Sequence, residues 1–442
     1  MLARFMPRDH ETSQPTIEEL ARGLDRLAAS GKVVREFDAH GEATFTAAQP
    51  APMPALMALS FLCSLGTGSL WTGLPFVAEH DFHFTKSQNM WLAVAESAVY
   101  AVVAFFSGGL LKRLGGFASP RTVLGGILLF TLAMCLLTLT GSLWALVATA
   151  LGVSAASATM WPIVESYLSS GRHGHQLRSA VGVFNIVWTS ATAAGLILMG
   201  PVFATDFSRI AIVAIGPVCA MGIFCLPWFP ASPPPHLEHG LPPAVPPVYR
   251  PLRAASRALL PTSYLLIGTL GPMLPYVTGD IGVAPEWQTP TSSAWHVVRV
   301  IAMLAMWRLS FWHGRWATLV VGAALMAGGF LLAMGSGSVA TLLGALAAFG
   351  AGHAVLYYAS LYYAMSVGHA EVDAGGHFEA LIGVGYITGP IASLLGMAVA
   401  GETGARGLVF ALAIGASMLA GREWVRWRRT ARPVGQGAPS RH

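Results

Sequence analysis

Twelve apolar runs, most of them long enough to cross a bilayer, dominate this chain and decide most of what it can fold into. A spanning helix needs about 20 apolar residues for about 30 Å of hydrocarbon. The runs fall near 54–79, 88–111, 121–141, 142–168, 179–203, 209–229, 258–279, 291–309, 316–334, 338–365, 379–400 and 405–424. Unbroken runs of this length argue against a β-barrel, whose strands would alternate over about 10 residues. The expected fold is therefore all-α and integral to the membrane. Composition agrees: 54% of residues are hydrophobic and 11% charged, against roughly 25% charged in soluble domains.

Basic residues orient the runs. They cluster in alternate loops, as the positive-inside rule requires: Lys112, Arg113 and Arg121; Arg172 and Arg178; Arg250, Arg253 and Arg257; Arg308 and Arg315; and the tail 422–432. The opposite loops hold Lys86, Arg209 and Arg406. Both termini are thus expected in the cytoplasm, in keeping with an even helix count. The formal net charge of +5 follows from this asymmetry, so no nucleic-acid partner is expected. Cys63, Cys135, Cys219 and Cys225 lie inside the runs and read as small packing residues. No basic-then-apolar leader is evident, and the first run is expected to direct insertion.

The chain divides into a segment 1–53, six runs over 54–229, a linker 230–257, six runs over 258–424 and a basic tail 425–442. In the first segment, TIEELARGLDRLAAS carries a capping box at Thr16 and Glu19 before a helical apolar stripe. VVREFDAHGEATF reads as a small hairpin around His40 and Gly41. The segment is either a tether on the membrane or helical core, or a regulatory module. The linker PASPPPHLEHGLPPAVPPVYRPLRAASR is Pro-rich and helix-breaking. Placing Phe184 over Phe378 sets FNIVWTSATAAG on FEALIGVGYITG, with Gly195 on Gly389 and Ser166 on Ser360. That register is mild evidence for a duplicated six-helix unit.

Two six-helix halves with a long central loop resemble the major facilitator superfamily, over roughly residues 54–424. After the second run, SGGLLKRLGGF is similar to the family's loop motif of Gly, Leu, an acidic residue, Arg and Gly, with Gly108, Leu110, Arg113 and Gly115 in place. Lys112 occupies the acidic position, a departure that bears on the family's charge-relay gate. Glycine permits close approach in such a loop, and Arg113 can cap a helix or meet a carboxylate. The GP pairs at Gly200 and Gly389 are similar to a motif of the family's exporters. The resemblance implies a secondary transporter with two pseudo-symmetric bundles, alternating access and a central site near the bilayer midplane.

Ionisable groups in hydrocarbon are costly, about 2.5 to 3.5 kcal/mol on insertion scales, so each is a functional candidate. Glu96 in LAVAESAVY and Arg299 in AWHVVRVIAML lie at similar depths in corresponding helices. They are expected to face the cavity and pair or handle a charged solute, the alternative being separately solvated residues. His353 can carry a proton near neutral pH or serve in packing. Glu165 in MWPIVESYL, just after Pro162, faces either the cavity, where it would exchange a proton, or Arg172 and Arg178. Trp71, Trp161, Asn185 and Trp188 lie in helices that the family uses as cavity walls. Of Tyr357, Tyr358, Tyr362 and Tyr363, which span two helix faces, only one pair can point inward. Together these would make an aromatic wall, with Arg299, Tyr357 and Tyr358 completing it for an amphipathic solute. Trp91, Trp312 and Trp316 read as interface anchors.

No Walker or Rossmann pattern and no metal-ligand spacing appears; HGH at 173–175 reads as surface charge. An enzyme is not expected, nor a cofactor or metal. The expected protein is a monomeric, multi-pass cell-membrane transporter of a small organic solute, coupled to protons or another ion gradient, with export favoured. The alternative is a sensor or lipid scramblase that keeps the same fold.

Overall fold

A computed structural model describes residues 33–37, 43–47, 49–114, 117–172, 174–234, 246–367 and 372–430. β1 (Val33–Phe37) pairs antiparallel with β2 (Ala43–Ala47), Val33 opposite Ala47 and Phe37 opposite Ala43. This is the expected hairpin, though its turn, like the helix expected after Thr16, lies outside the described residues.

The first span enters on Pro52 and contains α1 (Met53–Cys63), a π-helical turn (Ser64–Gly68) and α2 (Ser69–Phe82). Then follow α3 (Lys86–Leu114), α4 (Pro120–Leu137), α5 (Leu143–Ser169), α6 (Gly174–Met199) and α7 (Ile210–Ala220). Ser119 and Ser142 cap α4 and α5 by accepting from the backbone N–H of Thr122 and Ala145, at 3.2 and 3.1 Å. Past the linker come α8 (Tyr249–Asp280), α9 (Pro285–Arg308), α10 (Trp316–Met334), α11 (Val339–Val367) and α12 (Val372–Thr430).

All the described elements apart from the hairpin are helical, as the apolar runs require. Ten helices among the described residues are long and apolar enough to cross a membrane. The difference from twelve has two physical sources. The eleventh and twelfth runs are two helices within α12 that meet at a kink at Ala400 and Gly401, so they count as a single 52-residue span. The eighth run is α9, whose hydropathy is lowered by Glu286, Thr289, Ser292, Ser293, His296 and Arg299. α8 begins at Tyr249, inside the stretch expected as linker, because Pro251 falls in its first turn, where a missing N–H costs nothing.

The halves pack as bundles and meet along two seams, α3 against α12 and α6 against α9. Without a hydrophobic drive between helices in lipid, close approach depends on small residues. Within the second half, a Cβ on Gly389 would stand 2.1 Å from the carbonyl oxygen of Leu265 on α8. Across the seam, one on Gly383 would stand 2.6 Å from Cβ of Ala101 on α3. At the end of the bundle opposite the Pro-rich linker, here the far end, Lys86 of α3 bridges the halves. Its Nζ lies 3.5 Å from Asp280 at the end of α8 and 2.5 Å from Glu402 on α12.

Candidate functional site

Both seams open onto a central cavity of about 160 Å³ walled by the spans of both halves. Trp71 on α2 stands edge-on to Tyr100 of α3, with ring centres 5.3 Å apart, and lies 5.1 Å from the Tyr386 ring of α12. Trp188 of α6 faces Tyr357 of α11 at 5.9 Å across the other seam. Trp161 closes the wall beside Phe184. Such rings supply large apolar surface with a polar tip.

Charge enters this aromatic space at four places. Glu96 lines it from α3, buried, with Oε1 lacking any hydrogen-bond partner. Glu165 lines it from α5, three residues past Pro162. Glu379 lines it from α12, accepts a very short hydrogen bond from the Tyr100 hydroxyl, and lies beside Glu165. Two carboxyl groups this near one another, drawn from both halves, favour sharing a proton over carrying two like charges. Arg299 of α9, 2% exposed, is the fourth. Its guanidinium lies 4.2 Å from the Trp188 ring centre, 5.2 Å from Tyr357 and 5.9 Å from Trp295.

The two alternatives for Glu165 are separated by these contacts. Arg172 is turned away, donating through Nη1 to the carbonyls of Tyr167 and Leu168, at 2.8 and 3.0 Å, and through Nη2 to Ala51. Burial lowers its pKa from the usual arginine value. It satisfies the orphan carbonyls at the end of α5. Glu96 and Arg299 share the cavity but form no ion pair with each other among the described residues.

The remaining candidates are distributed differently from the expectation. Asn185 and Tyr358 line a second cavity of about 300 Å³ near the linker end, with Arg178, Trp307, His313 and Tyr362. Tyr362 and Tyr363 are also buried, and the Tyr363 hydroxyl accepts from the Gly314 N–H at 3.0 Å. His353 is fully buried behind the cavity wall against Tyr264, Trp295 and Tyr357, with neither ring nitrogen partnered. Gly108 is buried and Arg113 exposed, while Gly115 lies outside the described residues. Trp91 is 61% exposed, as a lipid-facing anchor would be, but Trp312 is buried, donating to the Met306 carbonyl at 2.9 Å. Among the described residues no cluster of His, Cys, Asp or Glu has metal-binding geometry.

Sequence reasoning missed Glu379, Tyr100, Tyr264, Tyr386 and His296. A signal for the first was present: in the register that sets Phe184 on Phe378, Glu379 falls on Asn185. An acid in that place, in a chain poor in charge, marks it as a candidate.

Two helical halves closing over a buried, sparsely polar cavity define a multi-span membrane transport protein. The model of the Major Facilitator Superfamily matches residues 56–367, and the chain belongs to that superfamily. Solved transporters share the fold. The human organic anion transporter MFSD10 (TETRAN) is 16% identical, with a TM-score of 0.59, over 84% of this chain and all of that one. The nucleoside transporter NupG, as its D323A mutant, is 15% identical, TM-score 0.61, over 84% and 99%. A bacterial homolog of the human lysosomal transporter Spinster, inward-facing and unoccupied, is 12% identical, TM-score 0.61, over 85% and 97%. No curated protein sequence matches the chain significantly.

Proposed function

We propose that this secondary transporter moves a small amphipathic organic solute by alternating access, driven by protons, with both termini cytoplasmic and the monomer as the working unit. Export is its direction, on the strength of the GP pairs at Gly200 and Gly389. The observation that carries the coupling is the Glu165–Glu379–Tyr100 cluster. Its members come from both halves, so a proton held there ties the halves together. Its loss leaves two like charges facing one another across the seam. Solute binding and proton binding therefore act on the same conformational equilibrium.

A solute found by thermal-shift screening of the purified protein is then assayed in sealed vesicles. Wild type should accumulate or expel it under a pH gradient. Glu379→Gln and Glu165→Gln should lose gradient-driven net flux and keep solute exchange. Unchanged pH dependence in both variants would remove the coupling role. No flux with any solute, together with lipid redistribution, would favour a scramblase.

A further inference from the structure

Arg299 is the only cation lining the central cavity among the described residues, and its surroundings leave one edge of it open. The guanidinium carbon lies over the Trp188 and Tyr357 rings, and Tyr264 stands nearby. Nε and Nη2 have no partner, although the residue is 2% exposed. These two nitrogens share one edge of the guanidinium and form the two-pronged donor that matches a planar oxyanion. A buried guanidinium with no counter-charge is costly, and ring faces offset only part of that cost. One turn earlier on α9, His296 also lines the cavity with both ring nitrogens unpartnered, its ring against that of Trp295.

We infer that the transported solute is a small organic anion whose carboxylate docks on the Nε–Nη2 edge of Arg299, beside His296, with a flat apolar body against Trp188 and Tyr357. This rests on the central cavity being the solute site. No carboxylate partners that edge: Glu379 is bonded by the Tyr100 hydroxyl, and Glu96 and Glu165 lie on α3 and α5. The cavity therefore carries its one cation on α9 and its acids on α3, α5 and α12, which sets the solute's orientation. Its volume, about 160 Å³, is close to the ~150 Å³ of an apolar cavity that holds benzene, so the body is about one ring in size.

The test uses the full chain, purified in detergent, titrated with phenylacetate, phenylacetamide and 2-phenylethylamine while its tryptophan emission is followed. These probes share a one-ring body and differ in the charge of the head. Phenylacetate should bind at least about 10-fold more tightly than the amide, the worth of a charge-assisted hydrogen bond at a buried site. Arg299→Gln should abolish that preference, and Arg299→Lys should restore only part of it. Equal binding of acid and amide, preference for the amine, binding of none of the three, or an Arg299→Gln protein that keeps the preference would each overturn the inference. If Arg299→Gln does not fold, the acid-to-amide ratio on wild type decides alone. If instead Glu96 swings onto that edge in another state, Glu96→Gln should lower the melting temperature as much as Arg299→Gln, with no acid preference in wild type. Proton-driven flux of the amide or the amine would defeat the inference and leave the transport reading standing. Acid-selective binding with no flux under a pH gradient would do the reverse.

Discussion

Replacing Lys86 by Gln should open the far end of the protein. Lys86 lies on the first half, and its two partners, Asp280 and Glu402, lie on the second, so this ion triad exists only while the halves are closed there. The side chain of Lys86 is 26% exposed, and those of Asp280 and Glu402 are 70% and 43% exposed. Solvent screens such pairs, each contributing about 0.2 to 1 kcal/mol. Two pairs near the middle of that range give about 1 kcal/mol, or about fivefold in the ratio of closed to open molecules. Nearby contacts limit the effect, because the Tyr276 hydroxyl still donates to the Phe84 carbonyl at 2.6 Å and Asn89 still reaches Tyr276 at 2.9 Å. Spin labels at Gln88 and Thr403, both exposed and on opposite halves, report the separation. The native cysteines are all buried and should remain unlabelled. The long-distance population should rise about fivefold in the variant, and raising salt should move wild type in the same direction. A distance distribution identical to wild type would refute the assignment of this triad as a far-end latch.

Arg172→Ala, which strips three carbonyls of a buried charged donor, should cost about 3 kcal/mol. It should lower the melting temperature without altering solute preference; an unchanged melting temperature would refute this. Gly389→Ala drives a methyl group toward the Leu265 carbonyl and should cost about 1 to 3 kcal/mol of stability, whereas a neutral result would mean that α8 and α12 separate freely. His313, in the α9–α10 connection, is half-buried against Tyr362 and near Arg178, and burial first and then that arginine hold its pKa below the ordinary 6.5. The unfolded chain therefore takes up the proton first as pH falls below about 6.5, and the native state loses stability there. His313→Gln should flatten the fall in melting temperature between about pH 7 and pH 5, and an unaltered slope would exclude this histidine as its source.

The spanning runs were legible in the sequence; the rotation of each helix about its axis was not. Glu96 and Arg299 both line the central cavity, yet they do not pair, because a helix apolar on nearly every face carries no periodic signal for which side a residue occupies. The same loss of rotation put Asn185 and Tyr358, neighbours in sequence of Trp188 and Tyr357, in a cavity one layer closer to the linker. Glu379 was passed over because it opens its apolar run, where an acid reads as an ordinary helix end. Its partner Glu165 lies more than 200 residues away in the other half. The break between the two final runs was legible: they were expected to part after residue 400, and the chain leaves helical geometry at Ala400 and Gly401.

The bond from Arg172 to Ala51 has a practical side. It fastens the stretch just before α1 to the end of α5, two turns beyond Glu165, so the front of the chain is riveted to the helix that carries one of the cavity acids. A truncation that stops short of residue 50 leaves the rivet in place. One that removes Ala51 frees the last turn of α5 and sets the Arg172 guanidinium loose beneath the cavity. Deletions that reach Ala51 thus act on the stability of the helix that carries Glu165.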